Sequence, residues 1–493
     1  MKNLILLFLI AFTTGTFAQK HLEYYENGNK KEEGKYKNGD PVGTWTYYFI
    51  NGQIESQGKF KKGVREGEWI YYWENGTIYE QGTWSEGKEI GEWKGFHEDG
   101  KLRYQGTYLD GLATGKWVFY HRNGQIEQEG EMVVGLNDGL WTYYHSNGQI
   151  SQKGNWIQGN KDGVWNHFNE DGSNFKSGSF VKGVQTGIWT YYDDYGHMKE
   201  KGMWTDGVQH GKWEYFYPNG QLKEIGEWNG GKQFGEWTYY YENGQLQDKG
   251  SWENGDQIGE WVYYYESGKL KMKGDWKDGH AIDEWIYYYD NGNLEKKGKW
   301  LDGHQVGYWE YFYKNGIKEQ EGEYTQTGEQ TGTWIYYYEN GRLHKKGKWA
   351  RGENHGEWIS YYQNGQIEKI GNWDYGVQNG IWTYYNEGGQ TIDKGEWVQG
   401  EQHGLWVYYY PSGRKQKEGY WKHGVQEGEW IYYRETGKME EKGPWKNAQQ
   451  HGVWTYYHPN GKMQWQGEWF NGEKRGIWNN YDESGRFVYS VTH

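Results

Sequence analysis

Sixteen histidines, 68 carboxylates, 34 tryptophans and 49 tyrosines supply this chain with material for three chemistries. Histidine and carboxylate clusters bind metals, paired carboxylates cleave glycosides, and aromatic rows stack on sugars or apolar side chains. Spacing decides among them. His210, His355, His403 and His451 share one position of an internal repeat. The last three lie two units apart, about 19 Å at ~4.8 Å per strand, which is too far to share one ion. Turn hydrogen bonding is their expected role. A glycosidase needs two carboxylates at a set separation in one cleft, and an array with the same residues in every unit offers no singular site. GxSxG, HExxH, Walker A and CxxC are all absent. The glycine-rich "GGKQFGEW" (Gly230–Trp237) lacks the phosphate-loop spacing. The acidic "NEDG" (Asn169–Gly172) and "DDYG" (Asp193–Gly196) do not continue into a calcium loop. No catalytic, cofactor-binding or metal-ligating residue is therefore expected, and no cofactor. What remains is the aromatic rows.

Their setting is a period. Tryptophan recurs in steps of 24 from Trp45 to Trp309, once in a step of 25 to Trp334, and again in steps of 24 to Trp478. That makes 19 units, preceded by a degenerate one with His21 in the tryptophan position. A fixed period of this size means a repeat architecture. With offsets counted from the leading Trp, a unit reads W-x-Y-Y-Y-x-N-G-Q-(I/L)-x-x-x-G-x-W-x-x-G-x-x-x-G-x. Glycine-rich, tyrosine- and tryptophan-rich, and poor in aliphatics and proline, the composition indicates an all-β chain.

Each unit predicts two strands. Asn-Gly at +6/+7 is the strongest short hairpin signal and predicts a two-residue type I′ turn. A second glycine-rich turn at +18 to +21 leads to the next unit, and the extra residue of the 25-step falls there, between Tyr324 and Gly328. The first turn sets a register in which +5 faces +8, +4 faces +9, +2 faces +11 and the leading Trp faces Gly at +13. Alternation then gathers the leading Trp, +2, +4, +9, +13 and the second Trp (+15) on one packed face. Trp237 becomes a lid over Gly250, with Asn243-Gly244 as the turn and Trp252 as the second indole; Trp45, Gly52 and Gly58 hold the same places in the first full unit. The opposite, polar face receives the +3 tyrosines: Tyr72, Tyr120, Tyr144, Tyr192, Tyr240, Tyr264 and Tyr288. These form the candidate binding row.

The pattern G-x-W-x-x-G-x-x-x-G-x-W-x-Y-Y-Y-x-N-G resembles the MORN repeat, and Trp in place of a later MORN glycine resembles the bacterial MORN-variant repeat. The likeness runs from Glu23 to the end. It implies an elongated antiparallel β-meander or solenoid of about 19 hairpin repeats and a non-catalytic scaffold, sometimes lipid-associated. Bacterial members are often classed as antitoxins of toxin–antitoxin systems; for an exported chain the matching role is immunity-type neutralisation of an effector outside the cytoplasm. W-Y-Y with spaced glycines is also similar to choline- and glucan-binding repeats, whose units are nearer 20 residues.

A net charge of −14 without any basic run argues against nucleic acid and anionic membrane surfaces. The absence of cysteine excludes disulfides and thiolate sites. "MKNLILLFLIAFTTGTFAQK" has a secretory signal's layout, with cleavage after Ala18. No later stretch is apolar enough to span a bilayer. The expected layout is a signal peptide at 1–18, a degenerate repeat or cap at 19–44, tandem repeats at 45–477 and a partial repeat or cap at 478–493. The expected function is an exported scaffold, periplasmic, envelope-associated or secreted, binding protein partners through an extended sheet surface. Two alternatives stand beside it: a carbohydrate- or cell-wall-binding module using the +3 tyrosines, and the antitoxin or immunity role.

Overall fold

The hairpin rhythm of the sequence becomes 41 strands and no helix among residues 17–493, which the computed structural model describes. Most of the expected leader lies outside the described residues. The strands form two compact units, one comprising Met1–Gly235 with Glu242–Gly244, the other Glu236–Tyr241 with Gln245–His493. Within each, strands follow one another as an antiparallel meander, strand pairing with the next in sequence. No described helix is long and apolar enough to cross a membrane.

The unit led by Trp141 shows how the residues set this geometry. Strand Leu136–Tyr144 pairs with Ile150–Ile157, which pairs with Asn160–Phe168. Trp141 faces Gly154 and Tyr143 faces Gln152, as the spacing predicts. The Asn-Gly corner does not form the expected turn. His145 N–H donates to the Gln149 carbonyl at 2.8 Å, and Gly148 N–H donates to the His145 carbonyl at 2.9 Å. Only Gly148 has a positive φ, +87°; Asn147 does not. This is a three-residue loop, a type I turn closed by a left-handed glycine bulge. Gly52 and Gly244, at φ +88° and +83°, hold the same place. The type I′ turn lies at the other corner, where Gln158 (φ +49°) and Gly159 (φ +77°) connect the paired Ile157 and Asn160. Where the 25-residue step adds a residue, the two-residue corner becomes another three-residue loop: Thr325 N–H bonds the Glu329 carbonyl and Gly328 N–H the Thr325 carbonyl.

The longer loop shifts the register. Tyr144 (+3) faces Ile150 (+9), and the residue at +10 is left over as a bulge. The +9 aliphatic residues therefore join the tyrosine face, not the tryptophan face, because a one-residue slip in a strand reverses every side chain beyond it.

A second irregularity precedes every leading Trp. Gly139 (φ +68°) and its equivalents bend the strand, and the partner's register skips from Glu129 to Glu131. Asp283 alone replaces this glycine and keeps a φ of +53°. A left-handed conformation costs most side chains ~1–2 kcal/mol, and Asp somewhat less. Asp283→Gly is expected to stabilise its unit by up to ~1 kcal/mol, read as slower amide exchange in strand His280–Tyr288. No gain in protection would contradict this origin of the glycine.

Candidate functional site

The bend at −2 throws each leading indole back over the strand before it. The indole of Trp165 covers Gly154 with its five-membered ring, and a Cβ there would overlap its Cδ2, Cε2 and Cγ. The indole N–H donates to the Asn155 carbonyl at 3.0 Å. Gly250 is accordingly covered by Trp261, not by Trp237, and Gly58 by Trp69; Trp45 lies over Gly34 of the degenerate unit. Each indole thus locks its own unit onto the preceding one. The expected pairing Trp-opposite-Gly holds for backbone positions, but the strand bend sends the ring to the glycine on the other side. All 19 leading tryptophans are buried.

Between successive indoles stand the +2 rings. Tyr143 lies 6.1 Å from both Trp141 and Trp165, and the ladder continues through His167, Trp189, Tyr191 and Trp213 with centroids 6.0–6.5 Å apart. The second Trp meets the next leading Trp edge-on, as Trp156 meets Trp165 at 5.6 Å and 87°, and Trp252 meets Trp261 at 5.5 Å and 86°. Phenol hydroxyls on this face are buried, which pushes Tyr263 up to about 12; it accepts the Trp276 indole N–H at 3.2 Å. The tryptophan face is a core, not an open platform.

His167 occupies a tyrosine position in that core. Burial first, then Lys176 and Lys161, push its imidazole down to about 4. The unfolded chain takes up this proton near 6.5, so between about 6.5 and 4 the unfolded state binds more protons. The contribution is therefore complete above about pH 6.5 and lost progressively as pH falls towards 4. His167→Tyr should remove this limb from the pH dependence of thermal stability. A variant that loses stability with acid as steeply as wild type would refute the assignment.

The tyrosine face is different. All seven predicted +3 tyrosines are half-buried. Tyr144 donates to Glu129 at 2.9 Å and Tyr72 accepts from Gln57 at 2.8 Å. Burial and that carboxylate push Tyr144 up to about 12. Tyr120 lies beside Ile126 and Glu129, and Tyr192 with Phe216 and Met198 borders an open groove of about 460 Å³ at the loop end. The carbonyls of Tyr264 and Tyr288 accept the hydroxyls of Tyr241 and Tyr265 at 2.7 Å. Tyr240 is half-buried in the same offset. These residues form a row along each unit and converge on no single cleft.

Two further ladders escape sequence reading. The +4 side chains bond the +3 carbonyl of the next unit, through histidine (His145 Nε2 to Phe168 O, 3.0 Å) or tyrosine (Tyr289 to Phe312 O, 2.8 Å). Asparagines at +6 brace their own loop and the next. Asn147 accepts the Gln149 N–H at 2.9 Å and donates to the Glu170 carbonyl at 2.6 Å. The recurring Asn was the available signal, but it reads equally as turn chemistry.

Three of the four histidines at −3 meet another ring rather than brace a turn: His355 on Tyr375, His403 against His423, His451 against Phe470. Among the described residues one histidine–carboxylate group, His21, Glu23 and Glu32, brings its ligand atoms within 4.8 Å of one another. Sequence spacing hides it because Glu23 meets Glu32 across a strand pair. The Lys31 ammonium lies 2.8 Å from Glu23 and supplies a positive charge there.

A family model described as "MORN repeat variant" matches fifteen segments, from 20–38 to 450–471, with longer gaps at 159–208, 303–329 and 376–401. No curated protein matches the chain. Solved structures similar to it include the TcdB2-TccC3-Cdc42 crystal structure, at 12% identity and a TM-score of 0.14, covering 94% of this chain and 28% of that one. The Photorhabdus luminescens Tc holotoxin pore is similar at 13% identity and a TM-score of 0.14, covering 95% and 27%. The chain therefore spans little more than a quarter of those proteins.

Proposed function

The chain belongs to the MORN repeat variant family, and from that premise we propose that it is a non-catalytic, exported scaffold that binds protein partners through its tyrosine face. The observation that carries this reading is the division of labour between the two faces. One face is consumed by the indole ladder, whereas the other presents a half-buried aromatic ring at +3 in every unit, tyrosine except at Phe96, Phe168, Phe216 and Phe312, with differently charged neighbours around it. A fixed ladder with variable surroundings provides many weak contacts along one line, which add through multivalency. Export is supported by the leader-like first 18 residues.

The test is capture from an envelope fraction by the mature chain, alongside variants lacking whole 24-residue units. A defined protein that is retained by the full array and lost on deletion of particular units is the expected result. Mass spectrometry of the native protein should find Gln19 as its first residue. Recovery of the uncleaved chain in the cytoplasm would defeat the export part, and equal capture by every deletion variant would defeat the scaffold part.

A further inference from the structure

On the tyrosine face of the first unit, charge gives way to aliphatic side chains over three consecutive repeats. Leu140, Val164 and Ile188 occupy offset −1, with Met203 paired across from Ile188, and they are 40–63% exposed. Neighbouring repeats place Glu68, Glu92, Lys116 and Lys212 at the same offset. A second row runs beside the first along the two-residue turns. Val133 pairs with Leu136 and Val181 with Val184, with Ile157 between them, all 45–54% exposed. Leu109, paired with Leu112, continues this row on one side and Val208 on the other, whereas more distant equivalent places hold Lys61, Lys88 and Lys232.

From Val133 to Val208, the strand positions of this face carry two carboxylates, Asp138 and Asp162. Both stand between the two aliphatic rows and are engaged there, Asp138 accepting the backbone N–H of Gln158 at 3.2 Å and Asp162 that of Lys182 at 3.4 Å. Of the two lysines on the strip, Lys201 is paired with Glu214 at 2.8 Å and Lys153 lies over the Phe168 ring. The strip is therefore close to neutral on a chain of charge −14. At ~4.8 Å per strand and ~3.4 Å per residue it measures on the order of 500 Å², about the size of the largest apolar patch on a typical monomer, often a functional one. Much of it lies in 159–208, the longest stretch that departs from the family pattern.

We propose that this strip is the contact between two copies of the chain, paired face to face about a two-fold axis. An aliphatic strip is complementary to itself, which an isologous contact requires. Two bodies of equal negative charge approach most readily where free carboxylates are missing. Nucleic acid and anionic lipid would need a cluster of cations, whereas the strip carries only Lys153 and the Glu214-paired Lys201. Two such strips bury about 1,000 Å², the lower limit of a specific interface, so the dimer is weak and concentration-dependent. The inference stands independently of the scaffold reading.

Sedimentation equilibrium of the mature full-length chain tests it across a concentration series at low and moderate salt. A monomer–dimer equilibrium that strengthens with salt, as like-charge repulsion is screened, is the expected result. The double variant Val164→Glu/Ile188→Glu should weaken the dimer at least about tenfold, since two unpaired carboxylates would enter a desolvated contact. Glutamate already stands at this offset in other repeats, so thermal stability should not change. Leu405→Glu, at the same offset in the second unit, should dimerise like wild type. A wild-type chain that is monomeric at its highest soluble concentration, or a double variant that dimerises undiminished, would overturn the proposal. Capture of a different protein by a monomeric chain would also overturn it.

Discussion

Gly154→Ala is expected to cost about 3 kcal/mol, at the upper end of what overpacking a core by one methyl usually does. The alanine Cβ would overlap ring carbons of Trp165. That ring has no room to retreat. Tyr143 lies on one side of it and His167 on the other, the Trp156 edge meets it nearly at right angles, and its N–H is tied to the Asn155 carbonyl. By contrast, Gly148→Ala meets no Cβ obstacle beyond the flexible Gln125 side chain. Its cost comes from holding an alanine at φ +87°, about 1 kcal/mol. The ordering of the two glycines is the informative result. Equal losses would mean that Gly154 is needed only for its backbone freedom.

Trp165→Ala should cost about 3–5 kcal/mol, the range for deleting a large buried aromatic side chain. Its indole is 0% exposed. Removing it empties the space above Gly154 and breaks the ring ladder on both sides. In a repeat array the damage should stay local, because each repeat contacts only its neighbours. Native-state hydrogen exchange is the right measurement, since long arrays need not unfold in one step. Amides of strands Ile150–Ile157 and Asn160–Phe168 should lose most protection, while those of strands near Trp69 change little. Trp156→Ala, at a half-buried position, should cost about half as much or less. Uniform loss of protection throughout the first unit would contradict a nearest-neighbour account.

Much of this fold was written in the spacing of a few residue types. The 24-residue step gave the strand pairs, and Trp–Gly and +2/+11 facing follow from it in the observed register. The corners were less legible. Asn-Gly suits both a type I′ turn and a type I turn with a glycine bulge; only the hydrogen bonds of His145 and Gly148 distinguish them. That one-residue difference carried Ile150 to the opposite face. The destination of the indole was equally hidden, because it depends on the bend at Gly139-type positions, which a regular strand lacks. Alternation indicates the face of the +3 tyrosines, but their hydroxyl partners at +12 of the preceding unit needed the neighbouring hairpin. The aliphatic strip around Val164 was visible only once −1, +14, +16 and −5 were known to share one face.

Each repeat is fastened to its predecessor by an indole lying over a glycine. A double-mutant cycle between Gly154→Ala and Trp165→Ala, read by hydrogen exchange in strands Ile150–Ile157 and Asn160–Phe168, tests it most directly. With Trp165 already removed, the alanine methyl enters an empty space. Its penalty of about 3 kcal/mol should then fall below about 0.5 kcal/mol, giving a large coupling between the two sites. An alanine penalty unchanged in the Trp165→Ala background, with the two effects simply adding, would contradict it.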